Sequence, residues 1–195
     1  ALEDAEEAVK LHNAPHTRAI HALTRVAASR WALATSWDSI AFNDDLKVVE
    51  EAALDATGEA KVALALLLLH GCSGSEHTQC VGADTALLAA RAALPSKPDW
   101  LDGELTWAET RFWATKVARH KRDGDERTAG EARKKVLEIC TSAAISQRTR
   151  TATGALTMTE CVHAAAESQR YGLWLNGVRW FVQRDIQDSG TLLPW

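Results

Sequence analysis

Residues 61–80, KVALALLLLHGCSGSEHTQC, decide how this chain folds. The run from Val62 to Leu69 is wholly apolar. A membrane-crossing helix needs roughly 20 such residues, so this run is too short to span a bilayer and reads as part of a core helix. It ends in two histidines and two cysteines. His70, Cys72, His77 and Cys80 are admissible zinc ligands, because zinc takes nitrogen and sulfur donors in a tetrahedron. Their spacing argues against it: one residue between His70 and Cys72 makes it hard to aim both at one ion, and no Cys-x2-Cys knuckle occurs. A disulfide needs only Cys72 and Cys80, with a Gly-Ser turn between them. The disulfide is the favoured reading and zinc the alternative.

Upstream, the same helix pattern extends far back. Leu46, Val49, Ala53, Ala56, Ala60, Ala63 and Leu67 alternate by three and four residues, a heptad seam. A second seam follows Pro15, with Ile20, Leu23, Ala27, Ala34, Trp37 and Ala41 on one stripe. FNDD at 42–45 interrupts the two, and Asn43 or Asp44 is a suitable N-cap. Both aspartates, 44 and 45, read as capping residues. The pattern leaves open whether 16–69 is one helix or two.

Downstream, a helix is expected over 83–94, and LPSKPD ends it. Another runs from Asp102 to His120 with Leu105, Ala108, Phe112 and Val117 inward. KRDGDERTAG reads as a polar hinge. Residues 126–147 return to helix with Ala129, Ala132, Val136, Ile139, Cys140 and Ala143 inward. Thr157 and Glu160 form a capping-box pattern for the last helix, with Leu156 and Cys161 as its staple. That helix carries a seam at Cys161, Ala164, Ser168, Tyr171, Leu175, Val178 and Val182, so Leu175 and Val178 should face the core. No hairpin pattern is convincing. The expected fold is all-α: a single domain over 1–195, an elongated antiparallel helical bundle with disulfide-closed loops.

The four cysteines allow three pairings. The pairing nearest in sequence, Cys72–Cys80 with Cys140–Cys161, also places each pair at helix ends. In a chain-entropy treatment these loops contribute roughly 2.5 and 3.4 kcal/mol. Two bridges would place the protein in an oxidising, extracellular or secretory, compartment. The chain begins at Ala1 rather than Met and shows no signal-peptide pattern, as expected of a processed form whose leader or anchor is not included.

Acidic side chains outnumber basic ones, 26 to 22, for a net charge of −4, and the two signs are interspersed. No long basic block exists, which argues against nucleic acid or an anionic membrane surface as partner. Catalytic patterns are thin. Glu160 and His163 supply one Glu-x-x-His, the unit that di-iron bundles use twice, and no second copy occurs. Pro15 interrupts any cluster of His12, His16 and His21. No His-Glu-x-x-His, phosphate-cradling Gly-rich loop or Gly-x-Ser-x-Gly elbow is present. The expectation is a non-enzyme with no cofactor or metal. Trp31, Trp37, Trp107, Trp113 and Trp174 read as core fillers among small alanines. Trp100, Arg179 and Trp180 are the candidates for a partner-binding surface.

Long alanine-rich heptad helices, the 61–80 run closing on a tight cysteine loop, and a later cysteine pair together resemble the ectodomains of trypanosome surface glycoproteins, a group of variant and invariant coat proteins and helical receptors. That resemblance implies a membrane-anchored cell-surface antigen, a coat component or receptor that meets a host macromolecule or self-associates, with any anchor outside these residues. The sequence departs from the group in being short for a variant coat protein and in having no Asn-x-Ser/Thr acceptor. A secreted helical carrier of an apolar small ligand is the alternative.

Overall fold

A computed structural model describes residues 1–29, 38–55, 57–74, 82–93, 99–141 and 154–188; at Ser39, 73–74, 99–100, 154–155 and 180–188 it describes the backbone alone. The described residues are helical, with no strand among them: α1 (Leu2–Leu11), α2 (Pro15–Ser29), α3 (Ser39–Ala53), α4 (Gly58–Gly74), α5 (Ala83–Ala93), α6 (Asp99–Arg122), α7 (Glu126–Thr141), α8 (Gly154–Glu167) and α9 (Tyr171–Asp188). They group into two compact units, 1–98 and 99–195.

In the first unit α4 is the hub, packed against α2, α3 and α5. Ala60, Val62, Ala63, Ala65, Leu66, Leu67 and Leu69 are all buried. A helix apolar on every side has to be enclosed by its neighbours, and this one is. The 46–67 seam belongs to two helices, because α3 ends at Ala53 and α4 begins at Gly58. Ala56 lies outside the described residues. Arg18 of α2 holds the junction, donating from Nε and Nη2 to the two oxygens of Asp55 at 2.7 and 2.8 Å.

Two details differ from expectation here. The N-cap of α3 is Asp38, whose carboxylate accepts from the Ile40 and Ala41 amides. Asn43 and Asp44 therefore lie within the helix, and Asp45 is a buried partner of Arg25 (2.5 Å) and of the Ser29 hydroxyl. On α2, Ile20 is 41% exposed and Ala27 is exposed, while Ala19, Ala22 and Val26 are buried. The helix turns its small residues inward because Arg18 and Arg25, reaching Asp55 and Asp45 of the neighbouring elements, fix its rotation.

The second unit begins with α6, where Leu105, Ala108, Phe112 and Val117 are buried as their spacing requires. Its C-terminus closes in a Schellman turn: the Asp125 amide donates to the His120 carbonyl (2.8 Å) and Gly124 to Lys121 (3.1 Å), with Gly124 at φ +75°. Glycine is the residue that turn requires. The Asp125 carboxylate then accepts from the Thr128 amide and caps α7. Ala129, Ala132 and Val136 line its buried face, as expected, and Ala143 lies outside the described residues.

The last helix is two helices. α8 ends in a second Schellman turn, Arg170 to Ala165 at 2.9 Å and Gln169 to Ala166 at 3.1 Å. Here the left-handed position, φ +54°, is held by Gln169. The 161–182 seam breaks at this turn, and α9 doubles back so that a Cβ on Gly177 would meet Val162 Cγ2 at 2.5 Å. Tyr171, Trp174 and Leu175 are consequently 69, 39 and 42% exposed, so Leu175 and Trp174 are not core residues. The capping box is also displaced. α8 starts at Gly154, so Thr157 sits in its body, buried, while Leu156 is exposed and Cys161 is engaged elsewhere.

Replacing Gln169 by glycine should stabilise the protein. A left-handed side chain costs about 1–2 kcal/mol and glycine's extra chain entropy returns about 0.5–1 kcal/mol of that, leaving a gain of about 0.5–1 kcal/mol. Gly124→Ala, the mirror substitution, should destabilise. Denaturant unfolding of both variants checks the pair; a Gln169→Gly loss would mean the side chain makes a contact worth more than the strain.

Candidate functional site

Cys140, near the end of α7, and Cys161, in α8, form the expected disulfide, with Cα atoms 5.6 Å apart. Met158 and Cys161 form a small buried cluster with Cys140 packed against it. Cys72 is buried near the end of α4 and is not a free thiol. Its expected partner, Cys80, lies outside the described residues, as does His77.

The bridge pins one side of a groove of about 360 Å³ between α6, α7 and α8. Helical spacing places Ala114, Val117, Ala118 and Lys121 on the groove face of α6, since residues three and four apart share a face. From α7 come Arg133 and Val136, and from α8 Thr159, Glu160, His163, Ala164 and Glu167. The alanines leave width, and the valines make the wall apolar.

Charge is concentrated at one end. Glu167 receives Lys121 Nζ at 2.9 Å on one oxygen and Arg133 Nε at 3.2 Å on the other. The Lys121 hydrogen bond, with Arg133 assisting, holds the Glu167 carboxyl below its ordinary pKa. The Arg133 Nε is buried, and Glu167 meets it as an ion pair. Further along α8, burial pushes the Glu160 carboxyl above its ordinary value, opposed by His163 and Arg111. Burial likewise lowers the Arg111 guanidinium, with Glu160 opposing.

These opposite shifts predict opposite pH behaviour. Glu160 favours the folded state most when protonated, and that contribution fades as pH rises through its raised pKa. Glu167 contributes when ionised, and its contribution fades as pH falls through its lowered pKa. Glu160→Gln should therefore be more stabilising, relative to the parent, at about pH 8 than at about pH 4, whereas Glu167→Gln should be destabilising at about pH 8 and nearly neutral at low pH. Melting temperatures across that range provide the check.

Of the other expected site residues, Arg179 is exposed on α9. Trp100 and Trp180 fall on α6 and α9, but their side chains lie outside the described residues. Trp107 is buried, with Arg111 5.8 Å over its ring. Trp113 is half-buried, edge-on to Phe112 with centroids 4.9 Å apart. Trp31 and Trp37 lie outside the described residues. Among the described residues, no three histidine, cysteine or acidic side chains cluster as a metal site would, and no helix is long and apolar enough to cross a membrane.

Sequence reading missed the convergence of Lys121, Arg133 and Glu167. Glu160, His163 and Glu167, at i, i+3 and i+7, did carry a signal, since they mark one face of one helix. No protein-family model matches the chain, and comparison with known proteins and with solved structures finds no match either.

Proposed function

We propose that this is an extracellular helical ectodomain, displayed at a cell surface, that works by binding a macromolecular partner and not by catalysis, as its resemblance to trypanosome surface glycoproteins suggests. The observation that carries the reading is the Cys140–Cys161 bridge, because structural disulfides persist mainly in oxidising compartments. A Cys72–Cys80 bridge closing the loop after α4 belongs to the same proposal. The exposed face of α9 supports the binding role: Tyr171, Trp174 and Leu175 lie at i, i+3 and i+4 with Arg179 nearby, the aromatic and arginine chemistry enriched in interface hot spots.

The test is surface labelling of intact cells that carry the native gene, using a membrane-impermeant amine reagent, followed by unreduced peptide mapping. The proposal expects labelled protein with both bridges present. Labelling only after permeabilisation, or four alkylatable thiols in rapidly trapped protein, would overturn it.

A further inference from the structure

The groove between α6, α7 and α8 carries an inference that stands whether or not the chain is a surface protein. Its polar end holds two cations and one carboxylate: Lys121 and Arg133 both converge on Glu167. That end alone carries one positive charge in excess, and Glu160, further along the same lining, brings the whole groove to two cations and two carboxylates. Lys121 has three donors and Arg133 five, and Glu167 occupies few of them. The buried Arg133 Nε meets Glu167 as an ion pair at 3.2 Å without a well-aligned hydrogen bond, and a better-placed acceptor would recover part of what that poor alignment costs. Away from that end the lining is mixed: Ala114, Val117, Ala118, Val136 and Ala164 make an apolar wall, and Thr159, Glu160 and His163 of α8 face it. At about 360 Å³ the groove lies within the range of small-molecule sites, roughly 300–1,000 Å³.

We propose that this groove binds a small amphiphilic monocarboxylate, its headgroup at Lys121 and Arg133 and its hydrocarbon body along the alanine and valine wall. One excess positive charge at the polar end suits a monoanion. A guanidinium presents paired donors in the plane that a carboxylate accepts. A dianion would meet Glu160 and Glu167 with less to compensate it. A ligand without an anionic head would leave the Arg133 donor as it is. Glu167 acts as a resident competitor, occupying the cations until the ligand arrives. The Cys140–Cys161 bridge holds α7 beside α8 and so keeps the groove walls in place.

The experiment is nuclear magnetic resonance titration of the intact, oxidised chain with octanoate, 1-octanol and octylammonium, following the methyl groups of Val117 and Val136. Octanoate should perturb both and saturate, octanol should bind roughly tenfold more weakly, the worth of a charge-assisted hydrogen bond, and octylammonium should not compete. Lys121→Gln with Arg133→Gln should bring octanoate down to the level of octanol while octanol binding persists, which shows that the variant is folded. Glu167→Gln should tighten octanoate, because the competitor is gone. Equal binding of octanoate and octanol by the parent, no response at either valine, or weaker octanoate binding by Glu167→Gln would each overturn the proposal.

Discussion

Truncating Phe42 to alanine should lower the unfolding free energy by about 3–5 kcal/mol, the usual cost of emptying a buried aromatic site. Phe42 is fully buried, and its ring lies directly over Gly71 near the end of α4. Any Cβ at position 71 would overlap the ring tip. Because the ring is enclosed it cannot swing away, so Gly71→Ala should itself cost about 1–3 kcal/mol through overpacking. The pair is coupled by this one contact. A smaller side chain at 42 makes room at 71, so Phe42→Leu combined with Gly71→Ala should cost clearly less than the two single changes added together. Denaturant unfolding of the four proteins in this cycle gives the answer. Strict additivity would mean that the two positions are not in contact, and the packing of α3 on α4 described above would be wrong.

This contact illustrates what the sequence could and could not reveal. Apolar residues repeating by three and four, as in Leu105, Ala108 and Phe112, announce their helix and its buried face. The same reasoning favoured Ile20 and Leu23 on α2, since hydrophobic size is what a periodic pattern weighs. There the face is chosen by Arg18 and Arg25 reaching acids 37 and 20 residues away, and Ala19 and Ala22 go inward. No local window contains that information. The break between α8 and α9 was hidden for a related reason. Gly124 marks its turn openly, whereas Gln169 performs the same left-handed turn in a residue that reads as helix. Without that break the 161–182 seam is continuous and turns Tyr171 and Leu175 inward, and Trp174 reads as a core filler, whereas all three are exposed.

The groove was less legible still. Lys121 sits in a basic run at the end of α6 and Arg133 in another on α7, and each run alone reads as a solvated charged face. Their meaning depends on Glu167 arriving from α8, more than thirty residues further on. The cysteines were easier. The pairing nearest in sequence predicts Cys140–Cys161, and the bridge forms, although Cys161 lies in the middle of α8 and not at its end.

Removing that bridge is the second change expected to have a large effect. Replacing Cys140 and Cys161 together by alanine should lower stability by about 3.4 kcal/mol, from the 21-residue separation and the chain-entropy treatment of the unfolded state. Alanine is the suitable replacement because Cys161 is buried against Met158, where a serine hydroxyl would add a desolvation cost of its own. If the bridge acts mainly by restraining the unfolded chain, its removal lets that state expand, and the denaturant dependence should steepen while helix content stays unchanged. If it acts mainly by holding α7 against α8, the slope should stay as it is, and the loss should appear first as movement around Val136 and Ala164, on the two helices it joins. Either result ties the bridge to the second unit. A double variant as stable as the parent would instead mean that α7 and α8 hold together by packing alone, and the bridge would then contribute nothing to keeping the groove open in its binding shape.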